Sequence, residues 1–145
     1  MRPVCPFVSV LVTPPAQSII VNQTVLVVDD SMLIRHTVCR YLEEQGFAVE
    51  SATNGAEALE MLKSMEQPAL IITDLQMPKF DGHQLIDALK AQPSTARIPI
   101  VVLAARQSRK EGVTEKRADY VIFKDIEILD QLRRALEAVV VRAVS

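Results

Sequence analysis

The sequence predicts an α/β fold, a doubly wound five-stranded parallel sheet with helices on both faces. Short apolar runs alternate along the chain with segments whose apolar residues recur at helical spacing. Such an alternation favours parallel strands joined by right-handed crossovers. In addition, 49% of the residues are hydrophobic but only 4% are aromatic, which is typical of aliphatic strands buried on both faces.

Five strands are predicted from continuous apolar runs, and the second is the weakest because its residues alternate in polarity. In chain order the strands are Val25–Val28, Phe47–Glu50, Leu70–Ile72, Ile100–Leu103 and Val121–Phe123.

Five helices are predicted between and after these strands. Ser31 and Asn54 stand at N-cap positions, while Gly46 and Pro68 mark the ends of the first two helices. The fourth helix is the least regular because Gly112 interrupts it. In chain order the helices are Ser31–Gln45, Asn54–Met65, Gly82–Ala91, Ser108–Arg117 and Ile126–Val141.

The domain organisation is predicted from the length of the chain and from the proline content of its first 23 residues. The 145 residues suffice for one domain, predicted over residues 24–141, with residues 142–145 as a tail and no output domain after it. Residues 1–23 hold four of the eight prolines and are predicted to be a flexible extension. Their apolar run, Phe7–Val12, is far shorter than the roughly 20 residues that a bilayer span needs, so we expect no membrane insertion.

Charge and cysteine content exclude further classes of protein. The formal net charge is −2, whereas nucleic-acid binders usually show a basic surface, so no nucleic-acid partner is expected. Cys5 and Cys39 fit neither a disulfide framework nor a zinc site. A reducing, cytoplasmic location is therefore predicted.

Acidic residues follow the first and third predicted strands, and a lysine follows the fifth. Asp29 and Asp30 come directly after the first strand, Asp74 follows the third, and Lys124 follows the fifth. The carboxyl ends of parallel strands share one edge of the sheet, where the sites of such folds lie. Three converging carboxylates need a counter-charge, and Mg²⁺ suits oxygen ligands of this kind. With a lysine for phosphoryl oxygens, the set fits phosphoryl transfer to a carboxylate.

Each of these residues also has an ordinary structural explanation. Paired aspartates are common at helix entries, where they complement the helix dipole. Asp74 lies near Pro78 and could belong to a turn, and a lysine after a strand is often simply solvated. Their joint occurrence at the ends of three strands favours the functional interpretation.

The chain resembles the receiver domain of two-component response regulators, of the stand-alone type. The matching stretches are Val25–Ser31 (VLVVDDS), Thr73–Gly82 (TDLQMPKFDG) and Phe123-Lys124. The resemblance implies a flavodoxin-like receiver fold and a phosphoprotein of phosphorelay signal transduction. It implies no substrate turnover, so the chain is not expected to be an enzyme.

The same resemblance assigns roles to individual residues. Asp74 would accept a phosphoryl group from the phosphohistidine of a histidine kinase or a phosphotransfer protein. Asp29, Asp30, Asp74 and the backbone carbonyl of Gln76 would hold Mg²⁺. Lys124 would pair first with Asp74 and then with the phosphoryl oxygens.

Three positions depart from the family pattern. Ala104 stands where a threonine or serine usually bonds the phosphoryl group, and Val121 stands where an aromatic switch residue is usual, with Tyr120 one place early and on the opposite face. Asp125 replaces the usual proline after the lysine. The departures predict an intact acceptor site with an atypical output switch.

Two functions therefore stay open at this stage. The first is a phosphoacceptor signalling protein that acts on an unknown downstream protein by direct interaction. The alternative is an interaction module that works independently of phosphorylation. A hydrolase is disfavoured because no second acid–base carboxylate is evident.

Overall fold

The computed structural model describes residues 23–77, 80–105 and 117–144, with side chains as far as residue 139. The sheet has five parallel strands in the order β2-β1-β3-β4-β5, which confirms the predicted fold class. The strands are β1 (Thr24–Val28), β2 (Ala48–Ala52), β3 (Leu70–Asp74), β4 (Ile100–Ala104) and β5 (Tyr120–Phe123).

The first two described helices begin at side-chain caps that the sequence indicates. The Ser31 hydroxyl accepts a hydrogen bond from the N–H of Ile34, and the Asn54 side chain accepts one from Glu57. Gly46 follows the first helix with a φ of +100°, a backbone conformation that favours glycine. The helices are α1 (Met32–Glu44), α2 (Gly55–Ser64), α3 (Gly82–Ala91) and α4 (Ile128–Val144).

The boundaries of the last helix differ from the prediction. α4 begins at Ile128 rather than Ile126, because the side chain of Asp125 and its backbone carbonyl bind the N–H groups of Glu127 and Ile128 in a turn ahead of the helix. The helix also continues to Val144, three positions past its predicted end. The predicted extension up to residue 22 and residues 108–116 of the predicted fourth helix lie outside the described residues.

The sheet separates two hydrophobic clusters. Val25 and Val27 of β1 pack with residues of α1 and α4, whereas Leu26 and Val28 pack with residues of α2 and α3. Side chains alternate along a strand, and both sets are fully buried, so a continuous apolar run supplies both cores. Among the described residues no helix is long and apolar enough to cross a membrane.

The register brings the carboxyl ends of four strands to one edge. Val28 of β1 lies beside Thr73 of β3, Asp74 lies beside Leu103 of β4, and Ala104 lies beside Phe123 of β5. The residues that follow these strand ends therefore converge on one small region.

Candidate functional site

Three carboxylates meet at this edge of the sheet. One oxygen from each of Asp29, Asp30 and Asp74 lies within 4.8 Å of the other two. Asp29 and Asp74 are 0% and 3% exposed, whereas Asp30 is exposed. The acidic residues that the sequence singled out thus form one pocket, open to solvent on the side of Asp30.

Asp29 is fixed by hydrogen bonds on several sides. Its N–H donates to the carbonyl of Ala52 at 3.1 Å, and its Oδ1 accepts from the N–H of Ser31 at 2.8 Å. Its own carbonyl oxygen accepts from Nη1 of Arg35 at 2.8 Å. Because backbone and side chain are both held, the buried carboxylate keeps one orientation toward the pocket.

Asp74 is the last residue of β3, whereas the sequence predicts that this strand ends two positions earlier, at Ile72. Its Oδ1 accepts a hydrogen bond from the N–H of Gln76 at 3.1 Å, and its Oδ2 lies 2.9 Å from Nζ of Lys124. The carboxylate therefore sits between the loop after β3 and the end of β5.

Lys124 joins two of the carboxylates. Its Nζ lies 3.0 Å from Oδ2 of Asp29 as well as 2.9 Å from Oδ2 of Asp74, and its own N–H donates to the carbonyl of Ala104 at 2.9 Å. The contact with Asp74 agrees with the expectation from the sequence. The contact with Asp29 was not foreseen, because a sequence locates the strand end but not the reach of the side chain.

The electrostatics of the pocket favour a further cation. Burial raises the pKa of Asp74 to about 6, and the charge of Asp29 acts in the same direction against the hydrogen bonds from Lys124 and Gln76. Burial alone would lower the pKa of Lys124, but its hydrogen bond to Asp74 and the charges of both aspartates raise it. Among the described residues, Lys124 brings one ammonium group to this set of three carboxylates.

The donor set fits a hard divalent cation. It consists of carboxylate oxygens, which Mg²⁺ prefers together with water and phosphate oxygens. Oδ2 of Asp29 is buried and accepts no well-oriented hydrogen bond within the described residues, although the ammonium of Lys124 is near. Gln76 is tied to Asp74 through its N–H, and the ligand role of its carbonyl stays a prediction.

Ala104 and Val121, which the sequence singles out as departures from the family pattern, lie on β4 and β5. Ala104 ends β4 with 1% exposure, and Val121 packs against the cluster formed by α2 and α3. Tyr120 packs against the other cluster, which confirms that it points to the opposite face from Val121. All peptide bonds in the described residues are trans, including the one between Lys124 and Asp125.

Sequence reasoning missed two residues near the site. Arg35, whose guanidinium donates to the carbonyl of Asp29, lies six positions after that aspartate. Its place in the first turn of α1, close behind a short loop, could have indicated this contact. Gln131 of α4 binds the backbone beside Lys124, and no sequence signal distinguishes it from an ordinary helix-surface glutamine.

A carboxylate pocket closed by a lysine at the carboxyl edge of a doubly wound sheet defines a class of phosphoryl-accepting signalling domains. The family model described as "Response regulator receiver domain" matches residues 25–137. The chain therefore belongs to the receiver-domain family of two-component response regulators. Members of this family are typically phosphoacceptors rather than turnover enzymes, and their partners are histidine kinases.

The chain is similar to segments of two longer curated proteins. The gliding motility regulatory protein of Myxococcus xanthus is 36% identical over 112 residues, which cover 74% of this chain and 14% of that protein. The response regulator MprA of Mycobacterium ulcerans is 39% identical over 89 residues, 61% of this chain and 37% of the relative. The chain thus spans well under half the length of these relatives.

Solved structures give the same fold. The chemotaxis response regulator CheY4 of Vibrio cholerae superimposes with a TM-score of 0.71 at 29% identity, covering 81% of this chain and 98% of that one. The signal receiver domain of a histidine kinase from Syntrophus aciditrophicus gives a TM-score of 0.70 at 29% identity, covering 83% and 91%.

Proposed function

We propose that Asp74 accepts a phosphoryl group from the phosphohistidine of a histidine kinase or a phosphotransfer protein. The observation that carries the proposal is the joint contact of Lys124 with Asp29 and Asp74 inside a pocket of three carboxylates. Asp29, Asp30, Asp74 and the carbonyl of Gln76 would hold Mg²⁺. When bound, the cation supplies the positive charge that lets phosphoryl oxygens approach these carboxylates.

The geometry supports a separate role for Asp74 and for Lys124 in the proposed transfer. An oxygen of Asp74 attacks phosphorus, the P–N bond to the donor imidazole breaks, and its electron pair returns to the nitrogen. With a pKa of about 6, Asp74 is mainly ionised at neutral pH and can act as the nucleophile. Lys124 lies beside Oδ2 of Asp74, where its charge would meet the phosphoryl oxygens.

The test is phosphate uptake from acetyl phosphate, and from a phosphorylated kinase domain, followed by intact-mass analysis. With Mg²⁺, the wild type is expected to show one phosphate adduct, and Asp74→Asn none. Excess EDTA is expected to suppress the adduct. Asp130→Asn, which changes an aspartate on the exposed side of α4, should behave as wild type. A wild type that gains no phosphate from either donor would contradict the proposal.

The proposed output is binding to a downstream protein in the cytoplasm. A second candidate function is an interaction module that ignores phosphorylation, and it is favoured by Ala104 and Val121 at the two switch positions. The two are separated by measuring the affinity for a captured partner with wild type and Asp74→Ala. A difference in affinity, or in cellular output, excludes the second candidate.

A hydroxyl at position 104 is expected to strengthen the response to phosphorylation. Ala104 ends β4 beside Lys124 and offers no donor, whereas a hydrogen bond to a charged group contributes about 1.5–3 kcal/mol. Ala104→Thr should therefore show a larger change in amide exchange over residues 104–124 when a phosphoryl analogue binds. Ala104→Val has nearly the same shape without the hydroxyl, so equal responses of the two variants would show that the hydroxyl does not limit switching.

A further inference from the structure

Gln131 holds the backbone next to Lys124 from the side of α4. Its Oε1 accepts from the N–H of Phe123 at 3.0 Å, and its Nε2 donates to the carbonyl of the same residue at 3.0 Å. The same Nε2 lies 3.0 Å from Oδ1 of Asp125. One side-chain amide thus contacts the residues on both sides of the lysine.

Asp125 forms hydrogen bonds with residues on both sides of it in the turn between β5 and α4. Its N–H donates to the carbonyl of Phe123 at 2.9 Å, and its Oδ1 accepts from the N–H of Glu127 at 2.9 Å. Its carbonyl accepts from the N–H of Ile128 at 3.1 Å. The turn between β5 and α4 is therefore tied to both elements, with a trans peptide after Lys124.

The position of β5 explains why such support matters. Within the part of the chain that the structure describes, β5 is an edge strand that pairs with β4 alone, and no strand lies along its second side. Gln131 supplies hydrogen bonds to the last residue of β5 there. From this end the ammonium of Lys124 must reach two carboxylates at 2.9 and 3.0 Å, and small displacements of a catalytic group reduce rates strongly.

We propose that Gln131 and Asp125 are positioning residues, which we call the lysine clamp, and that they set the place of Lys124 for phosphoryl transfer. The inference rests on the proposed function of Asp74. The clamp acts through the backbone of residues 123–125, so neither side chain needs to touch the phosphoryl group. Asp125 has this part at the position where related receivers usually carry a proline.

A double-mutant cycle on the rate of phosphate uptake from acetyl phosphate with Mg²⁺ tests the clamp. Gln131→Leu is expected to slow uptake about tenfold in the wild-type background, but to leave the already slow rate of Lys124→Met nearly unchanged. Gln45→Leu replaces an exposed glutamine at the carboxyl end of α1, before β2, and should leave the rate unaffected. Asp125→Asn keeps an acceptor oxygen and should remain closer to wild type than Asp125→Ala.

Amide exchange at Phe123, measured without a phosphodonor, tests the same clamp independently of transfer. Protection of this N–H should fall in Gln131→Leu and persist in Gln45→Leu. Unchanged protection, or an equal rate loss from Gln131→Leu in both backgrounds, would overturn the proposal. A wild type that takes up no phosphate would instead contradict the proposed function, and the exchange measurement would still decide whether Gln131 holds the strand end.

Discussion

Asp74→Asn is expected to raise the free energy of unfolding by about 2 kcal/mol at pH 7.5 without divalent cations. Burial of the carboxylate raises its pKa to about 6 from an ordinary 3.8, so the folded protein bears the cost of keeping Asp74 ionised. Asparagine has nearly the same shape and no charge. The ionised carboxylate that the proposed transfer needs therefore lowers the stability of the protein when no metal is bound.

The raised pKa of Asp74 also determines how the stability of the wild type depends on pH. A raised pKa means that the folded state binds the proton more tightly than the unfolded state. Wild-type stability then falls as the pH rises from about 4 to about 6, and this contribution is constant above that range. The advantage of Asp74→Asn should accordingly shrink toward pH 4 and be lost below the ordinary pKa of 3.8, where Asp74 is protonated in both states.

Urea unfolding in EDTA at several pH values measures this effect. Asp130→Asn is the control, because hydrogen bonding to Arg133 lowers the pKa of Asp130 and its loss should not stabilise the protein. Added Mg²⁺ should reduce or reverse the advantage of Asp74→Asn, since the wild type binds the cation with its full charge. Equal or lower stability of Asp74→Asn at pH 7.5 in EDTA would contradict the expectation.

Gly82→Ala is expected to lower the free energy of unfolding by about 3 kcal/mol. A Cβ at Gly82 would overlap the carbonyl oxygen of Asp74 and come within 2.8 Å of Cα of Leu75. Both are backbone atoms that cannot rotate away. The loop must therefore shift, and the shift displaces the residue that carries the candidate nucleophile.

Gly46→Ala provides the comparison for this substitution. A Cβ at Gly46 meets nothing within 4 Å, so its cost comes only from the positive φ and should be about 1 kcal/mol. Chemical denaturation of both variants gives the two costs, and phosphate uptake should fall only in Gly82→Ala. A smaller loss of stability in Gly82→Ala than in Gly46→Ala would show that the loop adapts without strain.

The fold and the carboxylate set could be predicted because both depend on local patterns. Apolar runs located the strands, and the shared edge of a parallel sheet brought Asp29, Asp30 and Asp74 together. The contact between Lys124 and Asp29 depends instead on how far one side chain extends across neighbouring strands. Gln131 lies eight positions after Phe123, on a helix whose exact start decides whether its amide meets the strand at all.

The place of Lys124 has a mechanical consequence. β4 lies between β3 and β5, and neighbouring strands are spaced about 4.8 Å apart. The side chain of Lys124 therefore extends from the end of β5 across the end of β4 to reach Asp74 and Asp29. Asp29 lies beyond β3, at the end of β1, and Gln131 binds the backbone of Phe123, directly before Lys124. The contacts of Asp29, Lys124 and Gln131 therefore connect β1 with the last helix, and Asp74 contacts this chain of residues at Lys124.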